Sequence, residues 1–324
     1  MFQPPRVCYV TITNWGVGDD LAMRGAMGLM RTVLPGHLTF CAEKNEAMRK
    51  MAGAHYKWDI WNSALHAPDV DLIVHAGGNQ WSGPNHAAWE DRIIAKKTPV
   101  IYLGVGMWSN RASKDKARKV LEHCRLFVGR DEVACQAASD LGAKNVHLLC
   151  CPSLFIEPAA PLDGDRVGLV YQAHGVVGPH SVKTELAEAE VALYRRVCDK
   201  RPSLIICHFI GDFVSALNAF PEWEDRIVYS KVLDDYIGWY RSCNRIVSMR
   251  LHGACLGVTL GRPTVCIKAG ETRVCAMKQI AVPVIEPSMV STVEMSQFSK
   301  PSETEVLKAY YLGEYLRLLK GAVA

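Results

Sequence analysis

Arg245-Ile246-Val247-Ser248-Met249-Arg250-Leu251-His252-Gly253-Ala254-Cys255-Leu256-Gly257-Val258, closed by Gly261-Arg262-Pro263, is the stretch on which the reading of the fold turns. An apolar run leads in, a second apolar segment leads out, and Gly-Arg-Pro stops it. This is the pattern of a short buried strand, a turn, and a helix over Gly253–Leu260. Arg250 and His252 are two residues apart. On a helix they would diverge, whereas on an extended segment at a strand end they share a face. That spacing sets a fixed cation beside a titratable imidazole where a helix N-terminus begins, which suits an anion whose chemistry needs a proton. Taken alone, the pair fits equally well an arginine at a strand end beside a histidine at the edge of the core.

The same alternation of apolar runs and helical patterns extends along the chain in both directions, and it predicts α/β architecture with parallel sheets. Strands are expected at Val7–Thr13, Leu38–Cys41, Leu72–His75, Val100–Leu103, Leu126–Val128 and Val146–Leu149. Helices are expected at Leu21–Val33, His86–Lys97, Lys114–His123 and Val133–Leu141. A stretch rich in Pro and Asp, Glu157 to Arg166, has the composition of an interdomain linker. Beyond it the alternation restarts. Strands at Val167–Tyr171, Leu204–His208, Ile227–Tyr229, Ile246–Ser248 and Thr264–Ile267 are interleaved with helices at Val182–Cys198, Val232–Tyr240, Gly253–Leu260 and Val274–Ile280. Glu303–Leu319 has a helical period of its own. The expectation is two doubly wound domains, residues 1–160 and 161–324, the second ending in a closing C-terminal helix.

Composition sets limits on the function. The 324 residues are 49% hydrophobic and 22% charged, enough for two full cores. The net charge of +4, with no basic run, argues against nucleic acid as a partner. Twelve cysteines are scattered through apolar runs without CxxC or zinc-type spacing, which reads as free thiols in a reducing compartment, with no metal site. The first strand starts by Arg6, too early for a signal peptide, and no apolar stretch reaches the ~20 residues that cross a bilayer. A cytoplasmic protein is expected.

The unusual residues share one kind of location, the carboxyl end of a strand, where open parallel sheets form their ligand crevice. They are Asn14-Trp15-Gly16-Val17-Gly18-Asp19-Asp20, Gly77-Gly78-Asn79, Gly104-Val105-Gly106-Met107-Trp108-Ser109, Gly129-Arg130-Asp131-Glu132 and Cys150-Cys151-Pro152-Ser153. No GxGxxG fingerprint with a suitable acidic residue and no Walker-type loop occurs, which disfavours dinucleotide and nucleoside-triphosphate sites of those types. An arginine at a helix start opposes the helix dipole, so Arg130 calls for a partner, either an internal carboxylate or a ligand anion. Asp19-Asp20 after a glycine turn reads first as an N-cap.

Asn14…Gly18-Asp19-Asp20, Gly77-Gly78, Gly129-Arg130-Asp131-Glu132, Leu141-Gly142, Pro152-Ser153-Leu154-Phe155 and Ser248-Met249-Arg250-Leu251-His252-Gly253, in this order over about residues 7–282, resemble the polysaccharide pyruvyltransferase family. The resemblance implies a GT-B-like pair of Rossmann-like domains facing a cleft. It also implies transfer of the pyruvyl group of phosphoenolpyruvate to a sugar of a polysaccharide or glycan precursor, forming a ketal. By position, Arg130, Arg250, Leu251 and His252 would hold the donor, with His252 as general acid and Arg273 as a further contact. Asn14, Gly18, Asp19, Asp20, Gly77, Gly78, Asn79 and Glu271 would be acceptor or loop residues. The resemblance implies no cofactor and no metal, phosphoenolpyruvate being a substrate. A lipid-linked acceptor would place the enzyme at the inner face of the membrane. Three positions depart from the family pattern: Cys151 stands where many members have Asp, Val17 is inserted between the first two glycines, and Asn79 replaces a third glycine. The rival readings are a GT-B glycosyltransferase with a nucleotide-sugar donor and a non-catalytic glycan-binding homologue. The oligomeric state is not legible in the sequence.

Overall fold

The structure is a computed structural model that describes residues 3–11, 17–43, 60–61, 69–80, 87–107, 114–157, 164–173, 184–267, 276–286 and 297–324. Asn14, Trp15, Gly16, Trp108, Ser109, Glu271 and Arg273 lie outside the described residues. The chain forms two compact units. Met1–Trp15, Asp19–Glu157 and Tyr310–Ala324 make the first, and Gly16–Gly18 with Pro158–Ala309 make the second.

In the first unit the strands are β1 (Arg6–Thr11), β2 (Leu38–Glu43), β3 (Ile60–Trp61), β4 (Leu72–Ala76), β5 (Asn79–Gln80), β6 (Val100–Met107), β7 (Cys124–Gly129) and β8 (Val146–Leu148). They are parallel and ordered β3-β2-β1-β4-β6-β7-β8, with β5 also paired to β6. The helices are α1 (Val17–Val33), α2 (Ala87–Lys96), α3 (Lys114–Leu121) and α4 (Glu132–Asp140). All of β4 is buried, as a strand covered on both faces must be. On one face Cys8, Ile73, Tyr102 and Phe127 pack on Ile93 of α2, Val120 of α3 and Ala138 of α4. The alternate residues Tyr9, Val74, Leu103 and Val128 are buried as well. A Cβ at Gly25 of α1 would fall 1.7 Å from the Pro152 carbonyl oxygen, so only glycine lets this helix lie against the 3-10 turn Pro152–Phe155.

The second unit contains β9 (Arg166–Tyr171), β10 (Ser203–Cys207), β11 (Ile227–Val228), β12 (Cys243–Ser248), β13 (Thr264–Ile267) and β14 (Val284–Ile285). These are again parallel, in the order β11-β10-β9-β12-β13-β14. Helices α5 (Thr184–Lys200), α6 (Ile210–Ala219), α7 (Leu233–Arg241) and α8 (Leu251–Thr259) connect the strands. Gly253 and Gly257 lie on one face of α8, where added methyls would meet Ser248 Oγ and Thr264 Oγ1, each at 2.5 Å. That bare face seats α8 directly on the sheet. The strand order reverses between β9 and β12, the topological switch point at which such sheets bind ligands.

Several sequence expectations need correction, beginning with two in the fold. The C-terminal helix α9 (Pro301–Val323) does not belong wholly to the second domain, because Tyr310 onward clusters with the first unit. There the buried Tyr315 hydroxyl donates to the Cys150 carbonyl at 2.6 Å, and Arg125 Nη1 donates to the Ala322 carbonyl at 3.1 Å. The second is α6, a helix at a stretch where the sequence pattern predicts no element.

Candidate active site

The β12–α8 junction carries the most informative side chains. Ser248 Oγ accepts from the Arg250 N–H at 3.0 Å and donates to the Arg250 carbonyl at 2.8 Å, which folds the chain tightly at the strand end. Arg250 is thereby the extended N-cap of α8 (φ −108°, ψ 134°). Leu251 and His252 are the first two helical residues, so the expectation that Arg250 and His252 share one extended face is wrong. The helix begins two residues earlier than the sequence suggests, because the serine turn replaces the missing cap. Leu251 is buried.

Arg250 is held from several sides. Its Nη2 lies 2.6 Å from both carboxylate oxygens of Asp212, and its Cζ sits 4.6 Å over the Phe209 ring. The Arg250 side chain keeps 16% of its area exposed, against 3% for Asp212. Asp212 is fixed in turn: Oδ1 accepts from the Ala173 N–H at 2.9 Å, and Oδ2 from the Phe209 N–H at 3.2 Å. Asp212 is the third residue of α6 and reaches back to its N-cap, half of a capping box. Sequence reasoning missed Asp212 and Phe209. The available signal was their place, His208-Phe209-Ile210-Gly211-Asp212 directly after β10, which is the location that singled out every other candidate.

Two histidines lie here, one buried and one half-buried. His208 is buried, with Nε2 3.0 Å from the Tyr240 hydroxyl. Burial above all, then the charges of Arg250 and His252, push its pKa well below the ordinary histidine value, so it is neutral at physiological pH. His252 is half-buried. Gly18 clusters with this unit, and a Cβ on it would lie 2.0 Å from His252 Nδ1, so the imidazole rests on bare backbone there.

The remaining described candidates belong to the first unit. Arg130 follows β7, with Nε 4.0 Å from Asp131 Oδ2 and 14% of its side chain exposed. Asp131 caps α4 by accepting from the Ala134 N–H at 2.8 Å. Burial raises the Asp131 pKa, while that hydrogen bond and Arg130 oppose the rise. Asp19 and Asp20 lie in the first turn of α1, where they complement the helix dipole; they are not its N-cap, because the helix starts at Val17. Cys151 is buried, and its thiol pKa is raised by burial, with Arg130 acting against this and Asp19 with it. Gly77 and Gly78 both have positive φ (61° and 70°), and a Cβ on Gly77 would lie 2.5 Å from that of Ala22. Their glycine identity therefore has a backbone cause. Asn79 opens β5, paired to Gly106. Among the described residues, no three His, Cys, Asp or Glu side chains converge as a metal site.

Comparison with known proteins places the chain in a family. The profile for polysaccharide pyruvyl transferases matches residues 33–269. The chain belongs to that family. The match takes in Arg130, Arg250 and His252 of this pyruvyl transferase family member; Asn14–Asp20, Glu271 and Arg273 fall outside it. No curated protein matches the chain. Its fold is shared with S. aureus MnaA bound to UDP (11% identity, 97% of each chain covered, TM-score 0.56). Anabaena HepE in complex with UDP is similar too (11% identity, 97% of this chain and 98% of that one, TM-score 0.57). So is Neisseria meningitidis UDP-GlcNAc 2-epimerase bound to UDP-GlcNAc (10% identity, 97% and 93% covered, TM-score 0.54). At such identities the likeness is one of fold alone, a two-domain GT-B-like α/β fold. No helix among the described residues is long and apolar enough to cross a membrane.

Proposed function

We propose that this chain is a pyruvyltransferase that moves the pyruvyl group of phosphoenolpyruvate onto a sugar. The observation that carries the reading is Arg250, braced by Asp212 at the N-cap of α8, with His252 two residues on and both at the switch point of their sheet. A guanidinium fixed at a helix N-terminus suits a planar dianion. Arg250 is assigned to the donor's anionic oxygens, and the family resemblance implies Arg130 as a second cation for them. His252 gives a proton to the methylene carbon, which makes the adjacent carbon electrophilic. A sugar hydroxyl adds there, and the C–O bond to phosphate breaks with its electrons leaving on phosphate, stabilised by the cations and the start of α8. A second hydroxyl closes the ketal. Of the two hydroxyl protons released, one restores His252 and the other leaves on phosphate. His208 suits this role less well, since burial pushes its pKa well below the ordinary histidine value. The sugar is a polysaccharide or glycan precursor, lipid-linked if the enzyme works at the membrane's inner face.

One observation favours a second reading, a nucleotide-sugar donor: MnaA and HepE share the fold and are seen with UDP. Melting temperature separates the two. Phosphoenolpyruvate at about a hundredfold its Kd should stabilise the protein by about 2.7 kcal/mol, with UDP giving no rise. A rise with UDP and none with phosphoenolpyruvate would transfer the assignment to nucleotide sugars.

A further inference from the structure

We infer that Asp212 is the positioning residue of the donor site, fixing the Arg250 guanidinium, whose Nε also donates to the Tyr171 carbonyl at 3.5 Å, so that its Nη1 N–H groups meet the donor's anionic oxygens in one orientation. This rests on the donor reading above. Four observations carry it. Asp212 is buried and takes both its contacts to Arg250 through Nη2, so the N–H groups on Nη1 are not the ones it occupies. Asp212 is itself tied to the backbone of two segments, Ala173 just past β9 and Phe209 just past β10. The arginine therefore inherits the rigidity of two strand ends. The Phe209 ring lies against the guanidinium at 4.6 Å and restricts its tilt. Finally, β9 and β12 flank the switch point, so the braced cation stands where a ligand enters the sheet's crevice.

Positioning and simple electrostatics predict opposite signs. Asp212 is an anion beside an anion-binding cation, so on Coulomb grounds alone Asp212→Asn should tighten phosphoenolpyruvate binding. If Asp212 positions Arg250, the same variant should bind more weakly, by about tenfold or more, because a charge-assisted contact orienting the fork is lost. Calorimetry with phosphoenolpyruvate on wild type and Asp212→Asn, with melting curves to establish folding, reads that sign. Binding that is unchanged or tighter in a cooperatively folded Asp212→Asn protein overturns the inference. Relaxation of the Arg250 Nε–H by NMR gives a reading independent of the donor. The group should be ordered in wild type and mobile in Asp212→Asn, and an Arg250 equally ordered in both overturns the inference. Wild type that ignores phosphoenolpyruvate would defeat the donor assignment instead, leaving the NMR result to decide the role of Asp212. If Asp212→Asn does not fold, Asp212→Glu keeps the charge and moves the carboxylate by one methylene. It should weaken binding by about two- to fivefold and loosen the same N–H, and unchanged binding with an unchanged N–H overturns the inference.

Discussion

His252→Asn should slow single turnover by about 10²–10⁴-fold while leaving phosphoenolpyruvate binding nearly intact, as expected when a general acid is removed. The histidine occupies the second position of α8, and Asn lies close to His in helix propensity. Stability should therefore hardly change. If His252 serves only the helix start, the variant retains its rate and at most loses some melting temperature. Rate and melting temperature measured on one preparation separate these cases, and a fully active His252→Asn enzyme removes His252 from the chemistry.

Arg250→Ala should fail in two ways. Donor binding should weaken by about 2–5 kcal/mol, the usual cost of truncating one side of a buried, hydrogen-bonded charge pair. Stability should fall too, by up to about 3–5 kcal/mol, because Asp212 is left buried without its guanidinium. Its two backbone N–H donors remain, which favours the lower end. Arg250→Lys separates the effects. An ammonium beside Asp212 restores much of the stability but cannot reproduce the planar fork, so donor binding should stay impaired. Denaturant melts and calorimetry on both variants check the split; full donor affinity in a folded Arg250→Lys protein would contradict it.

Elements built on continuous apolar strands and well-punctuated helices were legible from residue order alone: β4, β6, β9, β10 and β12 lie where the sequence predicts, within a few residues at their ends. What was not legible depends on partners far apart in sequence. Ile210-Gly211-Asp212-Phe213-Val214 reads poorly as a helix, since glycine and β-branched residues weaken the local signal. It is helical because Asp212 caps its start and bonds to Ala173 and Arg250. Without α6, the partner of Arg250 is invisible in the sequence. The division of α9 has a similar cause, because its fate depends on Tyr315 meeting Cys150, 165 positions away. The start of α8 was misplaced because Arg250 does not look like a cap; Ser248 makes the turn in its stead.

Pyruvyl transfer is tested most directly by incubating the purified protein with phosphoenolpyruvate and a panel of glycans, following inorganic phosphate and glycan mass together. The predicted result is phosphate released one for one with a glycan that gains a pyruvyl ketal, and neither product from His252→Asn on the same timescale. Transfer of a sugar from a UDP-sugar to those glycans, with phosphoenolpyruvate left intact, would contradict it.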